Sequence, residues 1–384
     1  MTALVERVRR RLVDEGVTRV PDSARVAAAL RDEGLLLGDE ALLSLVGSLR
    51  DELGGLGPLQ SLLLDPAVTD VLVNGPDEVW IDRGDGLELA DVRFDGSASV
   101  LRLAQRLATM AGRRLDEAAP FVDARLADGT RLHAVIPPIA ASCSLISLRI
   151  PSHRGFRLDD VVAAGTIDEH GAEWLRAIVS ARLAFLVSGG TGSGKTTLLS
   201  TLLEVVDPVH RILIVEDSAE LRPLHPHVVR LEARPANLEG VGVVTLRDLV
   251  RQALRMRPDR VVVGEVRGAE VVDLLASMNT GHEGGCGTVH ANSPADVPAR
   301  LEALGLMAGL PRDAVHALIA AGVQCLIHLD RAPRRVSEIH ALTTISGRAS
   351  TEPALVLRDG RLREAAGIDT LAAQLQAAGV AVPP

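Results

Sequence analysis

Along residues 183 to 203 an unbroken apolar run, Leu183 to Val187, gives way to a glycine-rich segment and then to a helical pattern from Lys195, with Leu198, Leu199, Leu202 and Leu203 on one side. That pattern predicts strand, loop and helix in order. From residue 166 onward the alternation recurs. Apolar stretches at 184–188, 211–216, 228–232, 260–265, 285–289 and 324–329 read as strands, most of them separated by helix-period segments such as Leu246, Leu249, Val250, Ala253 and Leu254. Such βα alternation implies an α/β domain with a mainly parallel sheet covered by helices, whose ligands bind at the carboxyl ends of strands. Residues 51–150 read differently. A loop and short helix lead to strands around Val71 and Val73 and around Val79 and Ile81, separated by Asn74-Gly75-Pro76 and closed by the turn residues 83–86. A helix is predicted near 98–111, strands on either side of Asp128-Gly129, and a further strand over 144–150. This is a smaller α+β unit. Pro151 and Gly155 mark residues 151–165 as a linker to the domain spanning 166–384. In residues 1–50, helix-spaced Leu4, Val5, Val8, Leu12 and Val13 lie beside Arg7, Arg9, Arg10 and Arg11, which predicts a helical segment with a solvated basic face.

The chain has 384 residues, enough for two or three cores, and its 47% hydrophobic and 24% charged residues describe a globular protein. A net charge of -9 speaks against nucleic-acid binding through the whole surface, and no direct nucleic-acid partner is expected. The three cysteines, Cys143, Cys286 and Cys325, are widely spaced and form no C-x-x-C pair, so they read as small core residues. No apolar run reaches membrane-spanning length and the first residues lack a signal-peptide core. A cytoplasmic protein that meets the membrane only through partners is expected.

The loop after the first α/β strand carries the chemistry. Gly189, Gly194, Lys195 and Thr196 match the phosphate-loop spacing G-x-x-x-x-G-K-S/T, placed between a predicted strand and helix. Glycines let successive backbone N–H groups curl around phosphate oxygens, and the helix N-terminus adds partial positive charge. The candidate nucleotide-binding set is therefore Gly189, Gly190, Thr191, Gly192, Ser193, Gly194, Lys195, Thr196 and Thr197. Lys195 reaches the outer phosphates and Thr196 serves as a Mg²⁺ ligand. Of 41 Lys plus Arg residues, Lys195 is the only lysine. A chain that uses arginine everywhere else keeps the compact ammonium where a guanidinium fork would not fit.

Further polar groups cluster at strand ends. RILIVEDSAEL places Glu216 and Asp217 after an apolar run, and RMRPDRVVVGEVRG places Glu265 where a Walker B carboxylate holds Mg²⁺ directly or through water. His282 and His290 frame a glycine-rich turn and strand. With Cys286 they form H-x3-C-x3-H, a spacing outside the familiar zinc patterns. In the smaller domain Arg131 and Arg149 sit within or at the edge of strands, where solvation is the ordinary fate of an arginine.

With these stretches in view, the chain resembles the secretion ATPases of type II and type IV secretion and pilus assembly, and most of all their Tad-type, CpaF-like branch. The likeness runs from GLGPLQSLLLDPAVTDVLVNGPDEVWIDR through the phosphate loop, the VEDSAEL stretch and LRMRPDRVVVGEVRG to TGHEGGCGTVHANSP. The absence of a tetracysteine insertion favours the Tad or conjugal-transfer branch. The resemblance implies a RecA-like P-loop NTPase domain preceded by a smaller, PAS-like α+β domain. It implies ATP and Mg²⁺ as ligands and a homohexameric ring working with an inner-membrane platform protein at the cytoplasmic face of the membrane. It further implies that Glu216 is the catalytic carboxylate, that Glu265 supports Mg²⁺ and water, that His290 with His282 senses the γ-phosphate, and that Arg131 and Arg149 are arginine fingers. The expected function is an ATPase motor for pilus assembly or secretion. The alternatives are a nucleotide-gated scaffold with little hydrolysis, a DNA-transfer ATPase and a small-molecule P-loop kinase.

Overall fold

A computed structural model of the chain describes residues 56–84, 86–150, 155–234, 241–279 and 283–384. The helical segment expected over residues 1–50 and the candidate His282 lie outside the described residues. Two compact units divide between Ser152 and His153.

In the first unit, a 3-10 turn at Gly57–Leu59 and helix α1 (Gln60–Leu63) lead into β1 (Asp70–Gly75), β2 (Glu78–Asp82) and β3 (Leu87–Leu89). Helix α2 (Ser97–Met110) follows, then β4 (Phe121–Arg125), β5 (Arg131–Val135) and β6 (Leu145–Arg149). The six strands form one antiparallel sheet in the order β3-β2-β1-β6-β5-β4. Strand alternation puts Val71, Val73, Val79, Ile81, Leu132, Ala134, Ile146 and Leu148 in one core with Val100, Leu103, Ala104 and Leu107 of α2. The other face carries Arg125, Arg131 and Arg149 among polar and apolar neighbours that include the exposed Phe121 and Leu145. Strand β3 escapes the sequence reading because it is only three residues long and wholly exposed; pairing with β2 alone makes it a strand.

The second unit begins with α3 (Leu158–Ala163), which lies inside the stretch expected as linker. Leu158 and Val161 tie it into the core, so the ordered domain starts earlier than its sequence suggested. Then come α4 (Glu169–Ser180), β7 (Phe185–Gly189), α5 (Lys195–Glu204), β8 (Ile212–Glu216), β9 (Val228–Glu232), α6 (Leu246–Ala253), β10 (Arg260–Val266), α7 (Glu270–Asn279) and β11 (Cys286–His290). The chain continues through α8 (Val297–Met307), α9 (Arg312–Gly322), β12 (Cys325–Arg331), β13 (Arg334–Ile345), β14 (Arg348–Arg358), β15 (Arg361–Glu364) and α10 (Ile368–Ala377).

These strands make a nine-stranded sheet in the order β15-β14-β13-β12-β7-β11-β10-β8-β9. From β12 to β9 every pairing is parallel, and from β12 to β15 every pairing is antiparallel. The α/β expectation is met, and each predicted strand from 184 to 329 is present. Central strands are buried on both faces: Phe185 and Val187 pack with Leu198, Leu199 and Leu202 of α5, while Leu186 packs on the opposite side with Val271, Leu274 and Ile319. This is why they read as unbroken apolar runs. The antiparallel extension departs from the expectation, since β13 to β15 interrupt their apolar positions with Arg, Ser, Thr and Glu and keep no regular alternation. Among the described residues no helix is long and apolar enough to cross a membrane.

The extension is integral to the domain, because Ile339, Ala341, Leu355 and Leu362 share the core of Val187 beneath the glycine loop. Leu355 is fully buried. Leu355→Ala is expected to lower stability by about 2–5 kcal/mol, the usual cost of a leucine-sized core deletion. Urea unfolding checks it, and an unchanged midpoint would make the extension an appendage.

Candidate functional site

Strand β7, buried along its whole length, delivers Gly189 to the carboxyl edge of the parallel sheet. There the chain turns sharply. Gly189, Gly192 and Gly194 have φ of 151°, 74° and 96°, values that side chains rarely tolerate. At Gly189 space forbids a side chain as well: a Cβ would lie 2.5 Å from the Leu329 carbonyl oxygen and 2.7 Å from Ser193 Oγ. Helix α5 starts immediately, at Lys195, so its N-terminal N–H groups and dipole face the turn. Ser193 is buried and its Oγ has no hydrogen-bond partner, a polar atom that a phosphate oxygen would satisfy. Glycine φ values, excluded Cβ positions and this orphaned hydroxyl fit a phosphate chain.

Lys195 is buried at the base of the loop. Its Nζ donates to the carbonyls of Gly189 (3.0 Å) and Gly190 (2.7 Å) and lies 3.4 Å from His290 Nδ1. Burial pushes its pKa below the ordinary lysine value, and the charge of Glu265 opposes that. His290 Nε2 is in turn 2.7 Å from Glu265 Oε1. One neutral tautomer satisfies both contacts, with Nδ1 accepting from the ammonium and Nε2–H donating to the carboxylate. Lys195, His290 and Glu265 thus form a continuous polar line from the start of α5 across β11 to β10.

A bulge aims Glu265 at this line. Val263 pairs with Gly287 and Val266 with Val289, so Gly264 and Glu265 together oppose Thr288, whose Oγ1 donates to the Gly264 carbonyl at 2.6 Å. Glu265 is half-exposed, whereas its neighbours along β10 are buried. Arg267 stands beyond, 4.0 Å from Glu265 Oε2 and ion-paired with Asp217. The sequence reading passed over Arg267, and its signal was present only as a basic residue two positions after the strand-end glutamate.

Glu216 occupies the end of β8, only 4% exposed. Its Oε1 accepts from the N–H groups of Glu220 and Leu221, each at 2.9 Å, while its buried Oε2 has no partner. Burial pushes its pKa up to about 7, and the two N–H donors only partly offset this. The neighbouring strand must carry glycine here: a Cβ on Gly264 would come 2.6 Å from Glu216 Cγ. Gly264 therefore seats one glutamate, and the bulge it belongs to turns out the other.

Thr196, the second residue of α5, and Glu265 offer a hydroxyl and a carboxylate, the hard oxygen donors suited to Mg²⁺ shared with phosphate oxygens. Among the described residues no group of three or more His, Cys, Asp or Glu side chains could by itself hold a metal ion. Cys286 is a core residue, its thiol pushed up to about 12 by complete burial. Arg131 and Arg149 belong to the other unit. They lie opposite each other across β5 and β6, and Arg131 also lies opposite Arg125 across β4 and β5, so three arginines follow one another in one row of the sheet, with Asp70 3.8 Å from Arg149. Arg125 is invisible to motif reading because the row exists only once register is set.

The family described as "Type II/IV secretion system protein" matches residues 52–363, a stretch that contains the phosphate loop and both strand-end glutamates. The chain belongs to this family. A provisionally named conjugal transfer protein of Mycobacterium tuberculosis (strain ATCC 25618 / H37Rv) is 56% identical over 322 residues, covering 82% of this chain and 92% of its own length. The Legionella pneumophila ATPase DotB has the same fold, with a TM-score of 0.52 at 19% identity over 78% of this chain and 80% of its own. So does the pilus retraction motor PilT, solved with bound ADP, with a TM-score of 0.52 at 17% identity over 83% of this chain and 85% of its own. At these identities the likeness is one of fold, and it agrees with the α/β, RecA-like architecture expected for this family member.

The buried glutamate makes stability depend on pH. Glu216 ionises near its ordinary 4.5 in the unfolded chain and at about 7 in the folded one. Its burial therefore costs nothing below the lower value and destabilises progressively as pH rises through the window, by on the order of 3 kcal/mol at the top. Glu216→Gln removes that dependence. Urea unfolding from about pH 4 to 8 is expected to show the variant gaining on the wild type as pH rises, and a constant difference would mean that the carboxyl is not desolvated.

Proposed function

We propose that this secretion-family protein is a Mg²⁺-dependent ATP hydrolase that works as the motor of a pilus-assembly or conjugal-transfer machine. The observation that carries the proposal is the buried, solitary Lys195 inside a glycine loop, joined through His290 to the strand-end carboxylate of Glu265. The loop N–H groups and Lys195 would hold the β- and γ-phosphates. When bound with the nucleotide, Mg²⁺ supplies charge neutralisation between phosphate oxygens, and Thr196 and Glu265 are the residues that would hold it.

Water then attacks the γ-phosphorus, the bond to the β–γ bridging oxygen breaks, and a proton passes from the water to a carboxylate. Glu216 is the better base, because a pKa of about 7 lets it be ionised at neutral pH and still hold a proton. His290, tied to Lys195 on one side and to Glu265 on the other, positions both and reports on the γ-phosphate. Arg131 and Arg149 act as arginine fingers that stabilise charge in the transition state. Assembly as a homohexameric ring against a platform protein, at the cytoplasmic face of the inner membrane, completes the reading. It is supported by the conjugal-transfer name of the mycobacterial relative and by the motor named in the PilT structure.

Phosphate release by the purified full chain is the test. Lys195→Ala is expected to lose ATP binding and turnover together. Glu216→Gln should bind ATP within a few-fold of wild type while turnover falls by about 10²–10⁴. The wild-type rate should rise with pH through an inflection near 7 that Glu216→Gln abolishes. Equal turnover from wild type and Glu216→Gln would replace the motor with a nucleotide-gated scaffold.

A further inference from the structure

We propose that Arg331 is a second cationic contact for the nucleotide's phosphate chain, reaching it from the outer side of the loop within the same polypeptide. The inference rests on the nucleotide-binding reading above and extends it to a residue outside every motif. Strand β12 runs parallel to β7 in register, with His328 beside Ser188 and Leu329 beside Gly189. It therefore continues past the point where β7 turns into the loop, and its last two residues travel alongside that turn. Ile327 and Leu329 bury in the same core as Leu198, Leu199 and Leu202 of α5. By strand alternation Arg331 emerges on that same side of the sheet, where the phosphate loop and its helix lie.

Distance agrees with register. A Cβ on Gly192, in the middle of the loop, would lie 3.9 Å from Arg331 Nε. Lys195 approaches from below and engages the loop's own carbonyls, whereas Arg331 is exposed and stands over the loop's outer edge. Among the described residues no carboxylate forms an ion pair with Arg331. Its cross-strand partner is Arg334, also exposed. Two guanidinium groups in that position repel each other, and an anion at the loop relieves the repulsion. The planar fork of an arginine can grip two phosphate oxygens in a fixed bidentate geometry, whereas the ammonium of Lys195 acts as a compact point charge.

The experiment measures ATP and ADP affinity by titration calorimetry on the full chain, for wild type and for Lys195→Ala, Arg331→Ala, Arg331→Lys and Arg334→Ala. Arg331→Ala should weaken both nucleotides about tenfold, the loss expected for one charge-assisted phosphate contact at a partly exposed site. Arg331→Lys should recover part of that loss. Arg334→Ala should stay within about twofold of wild type, because a charge that only contributes to the general field is screened. Unchanged affinity in Arg331→Ala, with Lys195→Ala still defective, overturns the role of Arg331 and leaves the phosphate loop intact. An equal loss in Arg334→Ala also overturns it, since the effect would then belong to the hairpin's charge and not to a contact. A wild-type chain that binds neither nucleotide ends the nucleotide reading and this inference together.

Discussion

The polypeptide between β7 and α5 has to fold back on itself tightly enough to leave its N–H groups pointing outward, while its first glycine is pressed against the Leu329 carbonyl of the neighbouring strand. Only a residue without a Cβ satisfies both demands. The surrounding structure holds this turn rigid. Strand β7 is buried on both faces, α5 is pinned to the core through Leu198, Leu199 and Leu202, and Lys195 closes the loop from beneath by donating to Gly189 and Gly190. An anion cradle made of backbone cannot tolerate movement, so the apolar packing of strand and helix is what makes it usable.

Around that cradle two glutamates from adjacent strands are given opposite environments by one glycine. Gly264 leaves room for Glu216 to sink against it, desolvated and raised to about 7, and the bulge that follows turns Glu265 out toward His290. A carboxyl desolvated in this way can exchange a proton near neutral pH, while Glu265 stands in contact with His290. The Lys195–His290–Glu265 line joins the start of α5 to the strand-end carboxylate through a single imidazole.

Motif reading singled out these residues because they are concentrated in short stretches. Gly189 to Thr197 is contiguous, and Glu216 and Glu265 each close an apolar run, so spacing and strand prediction suffice to place them at one edge of a sheet. The seating of Glu216 in its own turn could not be read that way, because it depends on N–H groups of Glu220 and Leu221 and on a glycine of another strand. Arg267 and Arg125 were passed over for a related reason. An arginine in a strand or loop looks solvated until a partner is placed beside it. The polar strands β13 to β15 were missed because their alternation is weak and their burial comes from joining a core that other segments built.

What the sequence determined by itself is the α/β class, the order of the parallel-sheet strands along the chain, the strand, glycine loop and helix at 185–204, and the family. These follow from local backbone preference, apolar periodicity and residue chemistry within a few turns of chain. Tertiary structure decided the antiparallel extension, the start of the second unit at α3, the pairing of Lys195 with His290 and Glu265, the row of Arg125, Arg131 and Arg149, and the position of Arg331 over Gly192. Each of these depends on which strand lies beside which and in what register. Register is a property of the assembled sheet, set by packing between segments far apart in the chain, so no window of sequence contains it.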